Sequence, residues 1–266
     1  MPTPEISAQL YSIHDELDAD LDGSLARLAE TGLTTVEAFD FVRRADALKA
    51  SFDKHGLHSP TAHAVLVEKT ANTPDGLLTR PPAEEVFAAA KVLGVETVID
   101  PHVRAAKWQT REDVERTAAR LNEVAVQAAE QGLRVGYHNH DHELSSLIDG
   151  TAALEVFAGL LDDSVLLEVD LYWATAGGVD PAGLLQRLGD RVVAVHVKDG
   201  PMRPGITSRQ LPKDQAVAGT GDVPLADALC AATSARYAVL EFDHYEGDTF
   251  EAIAQSHAWL KAQLGG

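Results

Sequence analysis

The chain has 266 residues, 45% of them hydrophobic, and a formal net charge of −19 at pH 7. That length is enough to build one large core. The acidic balance argues against nucleic acid or an anionic membrane as partner, since both are held by clustered Lys and Arg, and its plain meaning is solubility.

The N-terminal stretch MPTPEISAQLYSIHDEL has no basic start and no apolar core, so no signal peptide is expected there. Short β-rich runs then alternate with amphipathic runs. A strand at Ser7–Ser12 precedes a helix at Leu25–Glu30, which follows the cap-like Ser24. Thr35–Phe39 leads to a helix at Ala45–His55, stopped by Gly56. Ser59–Ala64 leads to Ala83–Leu93, stopped by Gly94. Thr97–Asp100 leads to the longest helix, Arg111–Gln131, between Thr110 and Gly132. The remaining strand and helix pairs are Arg134–His140 with Thr151–Leu161, Val165–Asp170 with Pro181–Leu188, Val192–Lys198 with Leu225–Ala232, and Tyr237–Phe242 with Thr249–Leu264. Pro181 after Asp180 is a favourable first helical position. No apolar stretch reaches the ~20 residues of a membrane span. The lone cysteine, Cys230, rules out an intrachain disulfide. It is expected to be a small core residue, and it suits a reducing cytoplasm.

Eight β-α units in this length predict a single (β/α)8 barrel, a TIM barrel, as one domain over residues 1–266. An open doubly wound sheet is the alternative. The strand count favours the barrel, and no Gly-x-Gly-x-x-Gly follows the first strand.

In such a barrel the functional groups lie at the C-terminal ends of the strands. Here those ends carry Glu37, His63, and Asp100 with His102. The later strands read Leu166-Leu167-Glu168-Val169-Asp170, Val195-His196-Val197-Lys198-Asp199 and Leu240-Glu241-Phe242-Asp243. A charge inside an apolar run is costly unless it is paired or binds a metal. For Glu168 alone a buried salt bridge is the plainer reading, but a polar group ending each of strands five to eight is hard to explain as packing. The densest cluster is Gly136-Tyr137-His138-Asn139-His140-Asp141-His142-Glu143. Strand alternation puts His138 and His140 on one face, with Asp141 to Glu143 opening the next loop. Imidazoles and carboxylates gathered at a strand end are what a metal or acid–base site needs.

The motifs GYHNHDHE, EVDLYW, HVKD and LEFD, in this order, resemble the xylose-isomerase-like sugar phosphate isomerase/epimerase superfamily, and the likeness runs from the first strand to the last. The resemblance implies a divalent metal held by groups from strands five to eight. Carried over by position, the ligands are Asp170, His196 and Glu241. The strand-five position, a Glu in the family, is here His138; either His138 replaces it or Glu143 reaches in from the loop. Such a mixed oxygen and nitrogen set suits Mn²⁺, with Mg²⁺, Co²⁺ or Zn²⁺ as alternatives.

Further roles follow from position. His140, Glu143 and Glu241 are the candidate acids and bases, although His140 serves equally as a hydrogen-bond partner of substrate. Glu37, His63, Trp173 and Lys198 are candidates for substrate contact. The plain alternatives are rim residues for the first two, burial under a loop for Trp173, and charge balance for Lys198. His142 is expected to face solvent. The loop Asp199–Ala218 is long enough for a lid.

The resemblance implies a metal-dependent isomerase or epimerase that works on a small keto-sugar or polyol through an enediolate. Dehydration of an inosose, or elimination from a 3-keto-glycoside, uses the same intermediate. A nuclease like endonuclease IV would need a basic groove, and a non-catalytic sugar-binding barrel would not need ligands. The sequence allows a homodimer without requiring one.

Overall fold

The computed structural model describes residues 3–68, 70–73 and 76–265. Short runs of four to six residues form eight parallel strands: β1 Glu5–Gln9, β2 Thr35–Ala38, β3 His58–His63, β4 Thr97–Asp100, β5 Arg134–His138, β6 Leu166–Asp170, β7 Val192–Val197 and β8 Tyr237–Leu240. They close into a barrel in sequence order, sealed by β1 against β8 from Glu5 opposite Tyr237 to Ala8 opposite Leu240. Closure leaves none of these eight strands with an unpaired edge. The principal outer helices are α1 Leu21–Glu30, α2 Ala45–His55, α3 Ala83–Leu93, α4 Arg111–Glu130, α5 Ala153–Leu160, α6 Pro181–Leu188, α7 Leu225–Ala231 and α8 Thr249–Gln263. The expected single (β/α)8 barrel is therefore present.

Local chemistry sets the helix ends. Asp20, Thr110, Asp180 and Asp248 cap α1, α4, α6 and α8 by accepting backbone N–H groups of the first turn. Gly56 and Gly94 stop α2 and α3 in the left-handed conformation, at φ +70° and +76°.

The structure corrects several boundaries. β1 ends at Gln9, three residues before the predicted end, because the Gln9 side chain accepts the Tyr11 N–H at 3.1 Å and turns the chain into a 3-10 segment at Leu10–Ile13. β5 ends at His138, not His140. There the ladder gives way to side chains: Asn139 Oδ1 accepts the Asp170 N–H, and Glu143 accepts the His140 N–H. Thr151 and Ala152 pair with Leu147 and Ile148 in a two-stranded hairpin before α5 begins. A second hairpin, Thr70–Thr73 with Gly76–Thr79, stands between β3 and α3. Cys230 is exposed on α7 and is no part of the core. Among the described residues, no helix is long and apolar enough to cross a membrane.

Candidate metal centre

Strand alternation sorts side chains into those facing the helices and those facing the barrel axis. Low in the barrel, Ala194, Tyr237 and Val239 pack against Leu166. Nearer the C-terminal ends the same strands turn charged groups inward.

His138, Asp170, His196 and Glu241 each offer one ligand-type atom, and these four atoms lie within 4.8 Å of one another, all buried. Register places them: Asp170 is opposite His196 across β6 and β7, and Glu168 opposite His138 across β5 and β6. His138 Nε2 lies 3.7 Å from Asp170 Oδ2, and His196 Nδ1 lies 2.7 Å from Glu241 Oε2. Asp170 has a divided role. Its Oδ1 caps the short helix Leu171–Ala176 by accepting the Trp173 N–H at 2.8 Å. Its Oδ2 accepts no hydrogen bond although buried, and Lys198 Nζ is 3.1 Å away. A buried carboxylate oxygen without a hydrogen-bond donor is costly. That oxygen, the donor types and their spacing fit a divalent cation.

The electrostatics follow from crowding. Lys198, 2% exposed, holds Glu241 at 2.6 Å and Asp243 at 3.0 Å. Burial pulls its ammonium down, but Asp170, Asp243 and Glu241 outweigh that and keep it charged well above its ordinary value. Burial pushes Glu241 up; Lys198 and His196 more than reverse this, to about 2. Burial dominates at Asp170, raising it to about 6 against the pull of Lys198 and His196. His138 is pushed well down by burial and by the imidazoles around it, so it presents a lone pair. Burial lowers His196 as well, but Glu168 and Glu241 win and hold it protonated when no ion is bound. A cation must displace that proton to bind.

Below these groups lies a second layer. His63, Glu168, His138 and His196 also converge within 4.8 Å. Glu168 Oε2 lies 2.7 Å from His63 Nε2, 3.0 Å from His196 Nε2 and 3.1 Å from His138 Nδ1. Glu37 Oε1 lies 2.8 Å from His196 Nε2 and 3.0 Å from His63 Nε2, and takes the Gln9 side-chain N–H at 2.7 Å.

The sequence candidates divide accordingly. His138, Asp170, His196 and Glu241 come together. Glu143 does not join them: one oxygen accepts the Tyr137 hydroxyl at 2.6 Å and the other the His140 N–H at 2.9 Å. Tyr137 packs on Trp108 and Phe157 of the outer layer, so Glu143 braces that layer and the turn after β5. Glu37 and His63 lie in the deep layer instead of at the rim. Trp173 is fully buried, with no open indole face. Lys198 is taken up in balancing carboxylates. His140 lies past the strand end, its ring 5.2 Å from that of His138 and 5.9 Å from Trp173, with Nδ1 buried and unpartnered. His142 is buried, not solvent-facing, and its Nε2 is 2.9 Å from the Val103 carbonyl.

Four contributors escaped the sequence reading. Glu168, for which a buried salt bridge is the plainer reading in isolation, alternates with Asp170 and shares its face. Asp243, past the end of β8, shares the Lys198 ammonium with Glu241. Gln9 supports Glu37. Gln215, 4% exposed, ties the long loop to the site by donating to Asp243 Oδ2 at 2.9 Å and accepting the Asp243 N–H. No local signal marks the part of Gln9 or Gln215 in the site, because Gln9 reaches Glu37 on the neighbouring strand and Gln215 reaches Asp243 from the long loop.

Comparison with known proteins agrees with this architecture. An inosose dehydratase of Lacticaseibacillus casei is 26% identical over 167 residues, 61% of this chain and 48% of that protein. The chain thus spans about half the length of the curated relatives it matches. A sugar phosphate isomerase/epimerase from Parabacteroides distasonis ATCC 8503 superposes with a TM-score of 0.76 at 21% identity, over 100% of this chain and 95% of that one. The IolI protein, solved with a bound zinc atom, superposes with a TM-score of 0.69 at 16% identity over 98% of both chains. These structural likenesses are likenesses of fold. The model of the xylose isomerase-like TIM barrel family matches residues 25–263. With eight parallel strands closed in order and that match over nearly its full length, the chain belongs to the xylose isomerase-like TIM barrel family.

Proposed function

We propose that the chain is a divalent-metal-dependent enzyme of carbohydrate metabolism that moves a proton on the carbon beside the carbonyl of a small keto-sugar or keto-polyol, by way of an enediolate. The observation that carries this reading is the convergence of His138, Asp170, His196 and Glu241 around Asp170 Oδ2, a buried carboxylate oxygen that accepts no hydrogen bond and has Lys198 Nζ 3.1 Å away. A bound divalent ion supplies a Lewis acid that draws electrons from the carbonyl and stabilises the oxyanion. Mn²⁺ suits the donor set, with Mg²⁺, Co²⁺ and Zn²⁺ as alternatives; the zinc of the IolI neighbour supports an ion in this class of barrel.

The protein's own groups handle the proton. Glu241 remains a carboxylate at neutral pH because the Lys198 ammonium, 2.6 Å away, favours its charged form. Burial keeps the His140 ring neutral, and its Nδ1 has no partner. Glu241 and His140 are therefore the groups able to take and return the proton. Return to the opposite face of the same carbon is epimerisation, and return to the neighbouring carbon is isomerisation. The second reading is dehydration, favoured by the inosose dehydratase relatives. There the same proton is removed, the β-hydroxyl leaves with a proton as water, and the carbonyl re-forms beside a new double bond. The lone Cys230 suits a reducing compartment such as the cytoplasm.

The test joins metal analysis with proton exchange. Purified protein should hold a divalent ion, and incubation with a panel of ketoses and inososes in D₂O should place deuterium beside the carbonyl. Asp170→Ala should lose both the ion and the exchange. Full exchange in the metal-free protein or in Asp170→Ala would refute the reading.

A further inference from the structure

The two imidazoles of the ligand set each face two ways. His138 turns Nε2 toward Asp170 Oδ2 at 3.7 Å and Nδ1 toward Glu168 Oε2 at 3.1 Å. His196 turns Nδ1 toward Glu241 Oε2 at 2.7 Å, and Nε2 toward Glu37 Oε1 at 2.8 Å and Glu168 Oε2 at 3.0 Å. One nitrogen of each ring thus serves the mouth of the barrel and the other serves the layer beneath. Glu168 and Glu37 are 1% and 0% exposed, so both carboxylates are shielded from bulk solvent.

We propose that Glu168 and Glu37 are positioning residues that accept the N–H of His138 Nδ1 and of His196 Nε2. They thereby fix the tautomers that leave His138 Nε2 and His196 Nδ1 as lone pairs beside Asp170 and Glu241. The inference rests on reading that outer set as the metal site. A neutral imidazole has one N–H and one lone pair, and the partner of one nitrogen decides which atom carries the proton. A carboxylate partner also makes the opposite nitrogen a stronger ligand. Here this has a particular use. Glu168, directly across the ladder from His138, brings a negative charge to that ligand through a hydrogen bond at 3.1 Å.

The deep layer also has the residue types of an ion site. A second cation there, with the first in place, would require both nitrogens of His138 and His196 to bind metal, which means stripping each ring of its last proton. Two buried carboxylates within hydrogen-bond distance favour keeping those protons. His63, between Glu168 and Glu37 at 2.7 and 3.0 Å, completes the layer as a third N–H donor.

Zinc titration of metal-free protein against a chromophoric chelator, with bound zinc counted per chain, tests this. Wild type should bind one zinc. Glu168→Gln and Glu37→Gln should still bind one, with affinity about 10- to 100-fold weaker. Two zinc ions in wild type falling to one in Glu168→Gln, or wild-type affinity in both variants, would overturn the proposal. Wild-type zinc affinity in Asp170→Ala would instead overturn the reading of the outer site, a separate result. A second measurement needs no variant: long-range ¹H–¹⁵N spectra of zinc-loaded wild type should show His138 protonated at Nδ1 and His196 at Nε2. The opposite tautomers would sink the proposal even if neither variant folds.

Discussion

His63 shows how much one buried side chain depends on its neighbours. Burial alone lowers its pKa, but Glu37 and Glu168 reverse that and raise it from 6.5 to about 10. A group whose pKa is raised on folding adds stability that is complete below its unfolded value and is lost as pH climbs through the folded one. The metal-free protein should therefore lose on the order of a few kcal/mol between about pH 6.5 and about pH 10. Urea denaturation across that range measures it, and His63→Gln should flatten the slope. At the same scale Glu143 and Glu168 illustrate what residue type conceals. Both are glutamates beside candidate ligands, and only the strand boundary decides which one reaches the barrel axis. Glu168 sits within β6, two residues from Asp170, so the pleat sends it inward. Glu143 lies beyond the end of β5, where the pleat no longer applies.

Among the elements, the loop Asp199–Ala218 is the part built to be held down at a few points. Asp199 accepts the backbone N–H groups of Gly200, Gly219, Gly221 and Val223, which folds the glycine turn back on the end of β7. Cβ atoms leave no room there: one on Gly221 would stand 2.2 Å from Asp199 Oδ1, and Gly219 has φ +83°. Removing a buried carboxylate with four donors should cost about 3 kcal/mol, so Asp199→Ala should lower the urea midpoint accordingly. Farther along, the loop is tied by Ser208 N–H to Asp141 at 2.8 Å and by Gln215 to Asp243. Gln215→Ala should free this segment, and trypsin should then cut after Arg209 or Lys213 several times faster than in wild type. An unchanged cutting rate would mean that Gln215 does not restrain the loop. In the sequence the length of this loop points to a lid; its far anchors, Asp141 and Asp243, lie past the ends of other strands and are not legible there.

For the whole molecule the governing quantity is charge. A net charge of −19 on one barrel repels itself, and surface ion pairs such as Arg187 with Glu155 relieve this only locally. Salt screens charges farther apart than about 10 Å at 0.1 M. The melting temperature of the metal-loaded protein should therefore rise between ~10 mM and ~150 mM salt. A fall would mean that the ion pairs outweigh the repulsion.

Alternation of eight short β-rich runs with capped amphipathic helices settled the barrel, because each signal is local and the topology admits few alternatives. Asp170, His196 and Glu241 could be chosen from sequence for the same reason: each stands at the end of an apolar run, where a barrel opens. Which carboxylate lies under His138, how far β5 extends, and whether Trp173 is open or covered were decided only when the strands paired. Those outcomes depend on cross-strand register, and register is a property of neighbours that the chain brings together from 30 or more residues apart.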